Sequence, residues 1–131
     1  MNKFVSACLL GATVMAAPED ERVIGLPDTS NSESPTYSGY LTVSDSKSLH
    51  YMFTESLDDP ANDPMVIWFN GGPGCSSMLG FMQENGPFVI DDGESVIKKN
   101  PEPWNKRANV MWLESPAGVG YSIGNDTTDL H

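Results

Sequence analysis

The sequence predicts an α/β fold, on three observations. Met65, Val66, Ile67, Trp68 and Phe69 form an apolar run without polar alternation, and Val110, Met111, Trp112 and Leu113 form a second. Such runs mark strands covered on both faces, the pattern of sheets flanked by helices. Between them, Met78, Leu79, Phe81 and Met82 carry helical spacing, so two buried strands flank a helix.

Taken in order, the elements begin with a stretch unlike the rest. Lys3 supplies a positive start, residues 4–17 are largely apolar, and Ala12, Ala16 and Ala17 are small. A segment of about 14 residues is too short for a hydrocarbon core of ~30 Å but suits the apolar region of a signal peptide. Val14, Met15 and Ala16 fit the small-residue cleavage rule, whereas a cut after Ala17 would set Pro18 beside the scissile bond. Residues 1–16 are therefore expected to be a signal peptide cleaved after Ala16. The charged stretch from Glu19 to Arg22 argues against a buried N-terminal helix. The expected product is an exported, soluble chain of the secretory pathway.

Residues 17–36 are polar and irregular around Val23, Ile24 and Leu26, which predicts an extended arm without a core of its own. Residues 37–43 alternate, residues 44–48 have turn chemistry and residues 49–54 alternate again, predicting a β-hairpin with a longish loop. Pro60 and Pro64 break the chain before the first apolar strand. A Gly-rich turn follows (Asn70, Gly71, Gly72, Pro73, Gly74), and Ser76 or Ser77 can cap a short helix that Asn85, Gly86 and Pro87 stop. Residues 87–90 read as a short strand, and a polar loop runs to Asn105 before the second apolar strand. No internal repeat or low-complexity tract is present.

Seven basic and eighteen acidic residues give a net charge of −11, with no like-charge run beyond a pair. A chain this acidic has no electrostatic means of tracking a phosphate backbone, which excludes nucleic-acid binding. No segment after the first is long and apolar enough to span a membrane, and no spacing implies a metal or cofactor. His50 lies within the second hairpin strand without partner spacing for a metal or a triad and reads as structural. Cleavage after Ala16 would remove Cys8 and leave Cys75 as the one cysteine. An odd cysteine in an oxidising compartment calls for a partner outside residues 17–131.

The turn after the first apolar strand has two readings. Glycine permits positive φ and proline fixes φ, so the segment serves any tight strand-to-helix corner. Alternatively, exposed N–H groups beside a helix N-terminus form a trap for an anion or a developing oxyanion. The second reading gains from position, because the turn follows the third strand, where hydrolases with a central α/β sheet place one oxyanion donor.

The run from Phe69 through Asn70, Gly71, Gly72, Pro73, Gly74, Cys75 and Ser76 to Ser77 closely resembles the signature of the serine carboxypeptidases. So do four further blocks in the same order and spacing: residues 37–40, 84–88, Trp104 and Asn105 with Ala108 and Asn109, and residues 113–122. The resemblance covers about residues 22–122. It implies the N-terminal part of an α/β-hydrolase-like domain over residues 37–131, from a secreted or vacuolar/lysosomal enzyme that removes C-terminal residues from peptides through a Ser-Asp-His triad. It further implies that Gly72 is a backbone oxyanion donor and that Asn70, Gly71 and Glu84 hold the substrate's free carboxylate. Trp68 would brace that group, and Cys75 would be bridged to a distant segment. An amide and a backbone N–H can donate to a carboxylate, whereas a glutamate donates only when protonated, so such a site favours acidic pH. Without the resemblance, Glu84 reads as a solvated carboxylate at a helix end.

The family's Gly-Glu-Ser elbow is not found within residues 1–131, so this chain is expected to lack the triad and to be inactive alone. Ser115 is rejected as nucleophile because Pro116 has no N–H to offer the oxyanion. Ser122 lies in a literal Gly-x-Ser-x-Gly (Gly120, Gly124), with Asp126, Asp129 and His131 after it, but no strand precedes it and no helix follows. Asn125, Asp126 and Thr127 form a glycosylation sequon. Two alternatives remain: a non-catalytic secreted module binding carboxylates or peptides, and a carboxypeptidase-like acyltransferase.

Overall fold

The computed structural model describes residues 17–26, 34–91 and 93–124. The expected signal peptide, Cys8, the Asn125 sequon and the acids and histidine beyond it lie outside the described residues.

The hairpin forms where alternation places it. β1 (Thr36–Ser44) and β2 (Lys47–Thr54) pair antiparallel, with Tyr37 opposite Phe53 and Leu41 opposite Leu49. The connection is tighter than the sequence suggests. Ser44 pairs with Lys47, leaving Asp45 and Ser46 to turn the chain, and the register shifts between Thr42 and Ser44. A bulge there takes up the extra residue, so the ladder extends to a two-residue turn.

β3 (Met65–Trp68) follows the proline-marked break. After the Gly-rich turn, Phe81 N bonds to Ser77 O (3.1 Å), and the helix then widens over Gly80–Glu84, where Asn85 N reaches Gly80 O (3.0 Å). The expected short helix is thus present but ends in a π-type turn, because the amides of Asn85 and Gly86 both close on Gly80 O. Ser76 Oγ accepts from Met78 N (3.2 Å), the capping role its position implies. β4 (Phe88–Val89) pairs antiparallel with β5 (Lys98–Lys99), so the stretch read as a polar loop holds a strand, and a 3₁₀ turn at Trp104–Lys106 besides. β6 (Asn109–Leu113) then lies parallel to β3 and antiparallel to β2, and β7 (Ile123–Gly124) pairs with the start of β2. The main sheet is mixed, ordered β1-β2-β6-β3.

The parallel register fixes which side chains share a face. Val66 lies beside Val110 and Trp68 beside Trp112. Val110, Trp112, Met52, Phe81, Phe88 and Ala108 form the buried core, with Val66, Trp68, Met78 and Met82 packed against it. Phe81 sits edge-on to Trp112 at 5.1 Å between ring centroids. β6 is as buried as its apolar run predicts. β3 is not: Met65 and Ile67 are about half exposed (49% and 50%). Among the described residues β3 is an edge strand with one face packed, which accounts for the difference.

The arm at residues 17–26 is better anchored than an extended segment. Arg22 bridges to Tyr37, Val23 N donates to Thr36 O (2.8 Å), and Val23 and Leu26 pack against the core. Tyr51 donates to Glu21, and burial together with that carboxylate raises its hydroxyl well above the usual phenol range. The Trp104–Asn109 block pins the break before β3. Asn105 Nδ2 donates to Glu55 O (3.1 Å), and Asn109 Nδ2 donates to Pro60 O and Asp63 O (3.0 and 3.1 Å). No helix of the described residues is long and apolar enough to cross a membrane.

Candidate functional site

The C-terminal end of β3 delivers the chain into the Gly-rich turn beside the end of β6. Trp68, the last residue of β3, lies partly against the core and turns its indole N–H toward the turn: Nε1 donates to Asn70 Oδ1 at 2.8 Å. Gly80 N donates to the same oxygen at 3.2 Å. With Oδ1 accepting twice, the Asn70 amide has one orientation, and its Nδ2 donates to Glu84 Oε1 at 2.9 Å. Trp68, Asn70 and Glu84 thus form one chain of hydrogen bonds running from the core to solvent. Glu84, Gly71 and Gly72 are exposed. The group faces outward with one Asn70 amide hydrogen left over, able to meet an anion.

The turn itself is held tightly. Gly72 has φ +135°, a conformation L side chains rarely adopt, and a Cβ there would stand 3.1 Å from Cys75 N. Cys75 N closes the turn on Gly71 O (3.2 Å). Cys75 is exposed and is a free thiol among the described residues. Trp104, half exposed, packs edge-on to Trp68 at 5.1 Å and walls the same side.

A second cluster was not legible in the sequence. His50, read there as lacking partner spacing, is buried, with Nδ1 2.9 Å from Glu114 Oε2 and Nε2 2.9 Å from Ser38 Oγ. Glu114 is fully buried; Ser76 Oγ donates to its Oε1 and Tyr121 N to its Oε2 (2.8 Å). Serine, imidazole and carboxylate are connected here as in a triad. Ser38, however, lies mid-strand opposite Met52, without the strand-to-helix corner that exposes a nucleophile. Only proximity in the fold reveals the cluster, since 64 residues separate His50 from Glu114.

Of the two serines rejected as nucleophile, Ser122 has a structural role. Ser122 is buried; its Oγ donates to Glu114 O (2.7 Å) and accepts from His50 N (2.8 Å). It leads into two-residue β7 rather than into a helix. Ser115 lies two residues beyond the end of β6 and precedes Pro116.

Comparison with known proteins shows the family. Residues 27–131 match the serine carboxypeptidase family. The chain is 50% identical over 112 residues to the lysosomal protective protein of Mus musculus, covering 85% of this chain and 24% of that one. It is 47% identical over 126 residues to serine carboxypeptidase ctsa-4.1 of Caenorhabditis elegans, covering 89% and 27%. The P-(S)-hydroxymandelonitrile lyase of Sorghum bicolor is 49% identical over 118 residues, covering 86% and 23%. The chain belongs to the serine carboxypeptidase family. It spans about a quarter of the length of these relatives.

Proposed function

We propose that this chain forms the N-terminal part of an α/β-hydrolase-fold serine carboxypeptidase and supplies its substrate-carboxylate group and one oxyanion donor. The observation that carries the reading is the chain from Trp68 through Asn70 to Glu84. It orients one amide at an open turn, where an exopeptidase must grip a free terminus. Asn70 Nδ2 and Gly71 N–H donate to the peptide's terminal carboxylate, and Glu84 adds a donor when protonated. Gly72 N–H faces the carbonyl oxygen as it becomes an oxyanion, where one preorganised donor contributes about 10²–10³ in rate. The nucleophile, its base and the orienting acid belong to a Ser-Asp-His triad outside residues 1–131, and Cys75 is bridged to a segment of that part. Residues 1–16 direct the chain into the secretory pathway, toward a secreted or vacuolar/lysosomal location, and Asn125 carries a glycan. The substrates are peptides with a free C-terminus.

A second reading keeps the fold and the anion grip but changes the reaction. The sorghum relative is named a lyase, so a close likeness over this region accompanies more than one chemistry. The pH dependence of the full-length protein separates Glu84's role from a solvated carboxylate. Glu84→Gln should flatten the acidic preference of peptide hydrolysis and weaken peptide binding, with ester turnover less affected. An unchanged pH profile for peptide hydrolysis removes Glu84 from the site.

A further inference from the structure

The Gly-rich turn is tied to the end of β6 by two adjacent serines that point to different anchors. Ser77 is buried; its Oγ donates to Leu113 O at 2.7 Å and accepts from Asn70 N at 3.1 Å. Ser76 Oγ donates to Glu114 Oε1, one residue further along the chain. We propose that Ser76, anchored by Glu114 and its partner His50, and Ser77, anchored by Leu113 O, are positioning residues that set the oxyanion half and the carboxylate half of the turn separately. The proposal rests on the function argued above.

The separation follows from connectivity. Ser77 holds the backbone of Asn70, the residue whose side chain reaches Glu84. Ser76 follows Cys75, whose amide closes the turn on Gly71 O and would lie 3.1 Å from a Gly72 Cβ. Fixing Ser76 therefore fixes the direction of the Gly72 N–H. The anchor itself is buried and hydrogen-bonded at both oxygens. Glu114 accepts at both oxygens from Ser76, Tyr121 N and His50, and His50 with its Nδ1–H toward Glu114 accepts from Ser38 at Nε2. Gly120 is part of the fit: its φ is +55°, and a Cβ there would lie 1.9 Å from Glu114 Oε1. Tyr40 and Tyr121 pack edge-on to the imidazole at 5.4 and 5.3 Å. A carboxylate so enclosed serves as a fixed post, and a buried polar network with every member satisfied rigidifies what it holds.

The two halves act at different stages of the reaction, so their loss has different kinetic signatures. An oxyanion contact is made in the transition state and shows in kcat; a carboxylate contact is made equally in ground and transition states and shows in KM. The test is steady-state hydrolysis of a peptide by the natural full-length protein and its Ser76→Ala, Ser76→Thr and Ser77→Ala variants, each checked for wild-type thermal unfolding. Ser76→Ala should lower kcat about tenfold to a hundredfold with KM within about threefold, as expected for a misdirected donor. Ser76→Thr, which keeps the hydroxyl, should recover most of the loss. Ser77→Ala should raise KM about tenfold with a smaller change in kcat. An active wild type with Ser76→Ala kinetics unchanged, or with both alanine variants altering kcat and KM alike, overturns the positioning roles and leaves the proposed function standing. A full-length wild type that cleaves no peptide overturns both.

Discussion

Glu114 Oε2 lies 2.9 Å from His50 Nδ1, with the glutamate side chain fully buried and the imidazole nearly so. The contact joins the end of β6 to the middle of β2, and Glu114 N also donates to His50 O at 3.0 Å. Removing His50 leaves one oxygen of the buried carboxyl short of a donor, a loss of about 1–3 kcal/mol. His50→Ala in the full-length protein should lose stability on that scale, and His50→Gln, whose amide can still donate, should lose less. Chemical denaturation gives the answer; a cost below about 1 kcal/mol would class the pair with weak surface ion pairs.

Asp63 governs a separate, pH-dependent contribution. Its Oδ2 accepts from Ser56 Oγ (2.5 Å) and Asp59 N (3.1 Å), and these hydrogen bonds, the Ser56 one foremost, hold the carboxyl below the usual range. A depressed folded value means that the stabilisation is complete above the unfolded value of about 4 and is lost as pH falls through the folded one. Asp63→Asn should flatten the acid-side slope of stability in that window. Urea midpoints measured from pH 6 down to pH 2 test this, and parallel curves for wild type and variant would contradict it.

The 131-residue chain alone should show no peptidase or esterase activity and no reaction with serine-directed phosphonates. Ser122 is hydrogen-bonded inside the Glu114 cluster, Ser115 precedes a proline, and Ser38 sits mid-strand. Stoichiometric labelling at any of these, located by mass spectrometry, would show that a nucleophile had been overlooked.

The part of the fold written in local pattern was legible. Alternation placed β1 and β2, and unbroken apolarity placed β3 and β6. The hairpin loop came out shorter because turn-forming residues such as Ser44 and Lys47 also fit a ladder, and residue chemistry does not say which use wins. β5 was hidden because its two residues are lysines, and the cover on β3 was overestimated because an apolar run does not reveal which neighbours are at hand. At the site, Trp68, Asn70 and Glu84 were gathered from motif resemblance, and the geometry brings them into contact. The Glu114–His50 cluster escaped because nothing local marks it. Glu114 lies inside the block at residues 113–122 with no mark of its own, and a histidine in an alternating strand looks like any half-buried polar residue.

The central claim is that Asn70 grips the substrate's terminal carboxylate. Its most direct test compares full-length wild type and Asn70→Ala on a peptide and on the same peptide with a C-terminal amide. A hydrogen bond to a charged group contributes about 1.5–3 kcal/mol, or roughly 10- to 100-fold. Wild type should prefer the free carboxylate by at least that factor in kcat/KM, and Asn70→Ala should bring the two substrates within about threefold, chiefly through a higher KM for the acid. A variant that keeps the wild-type preference for the free acid would contradict the account.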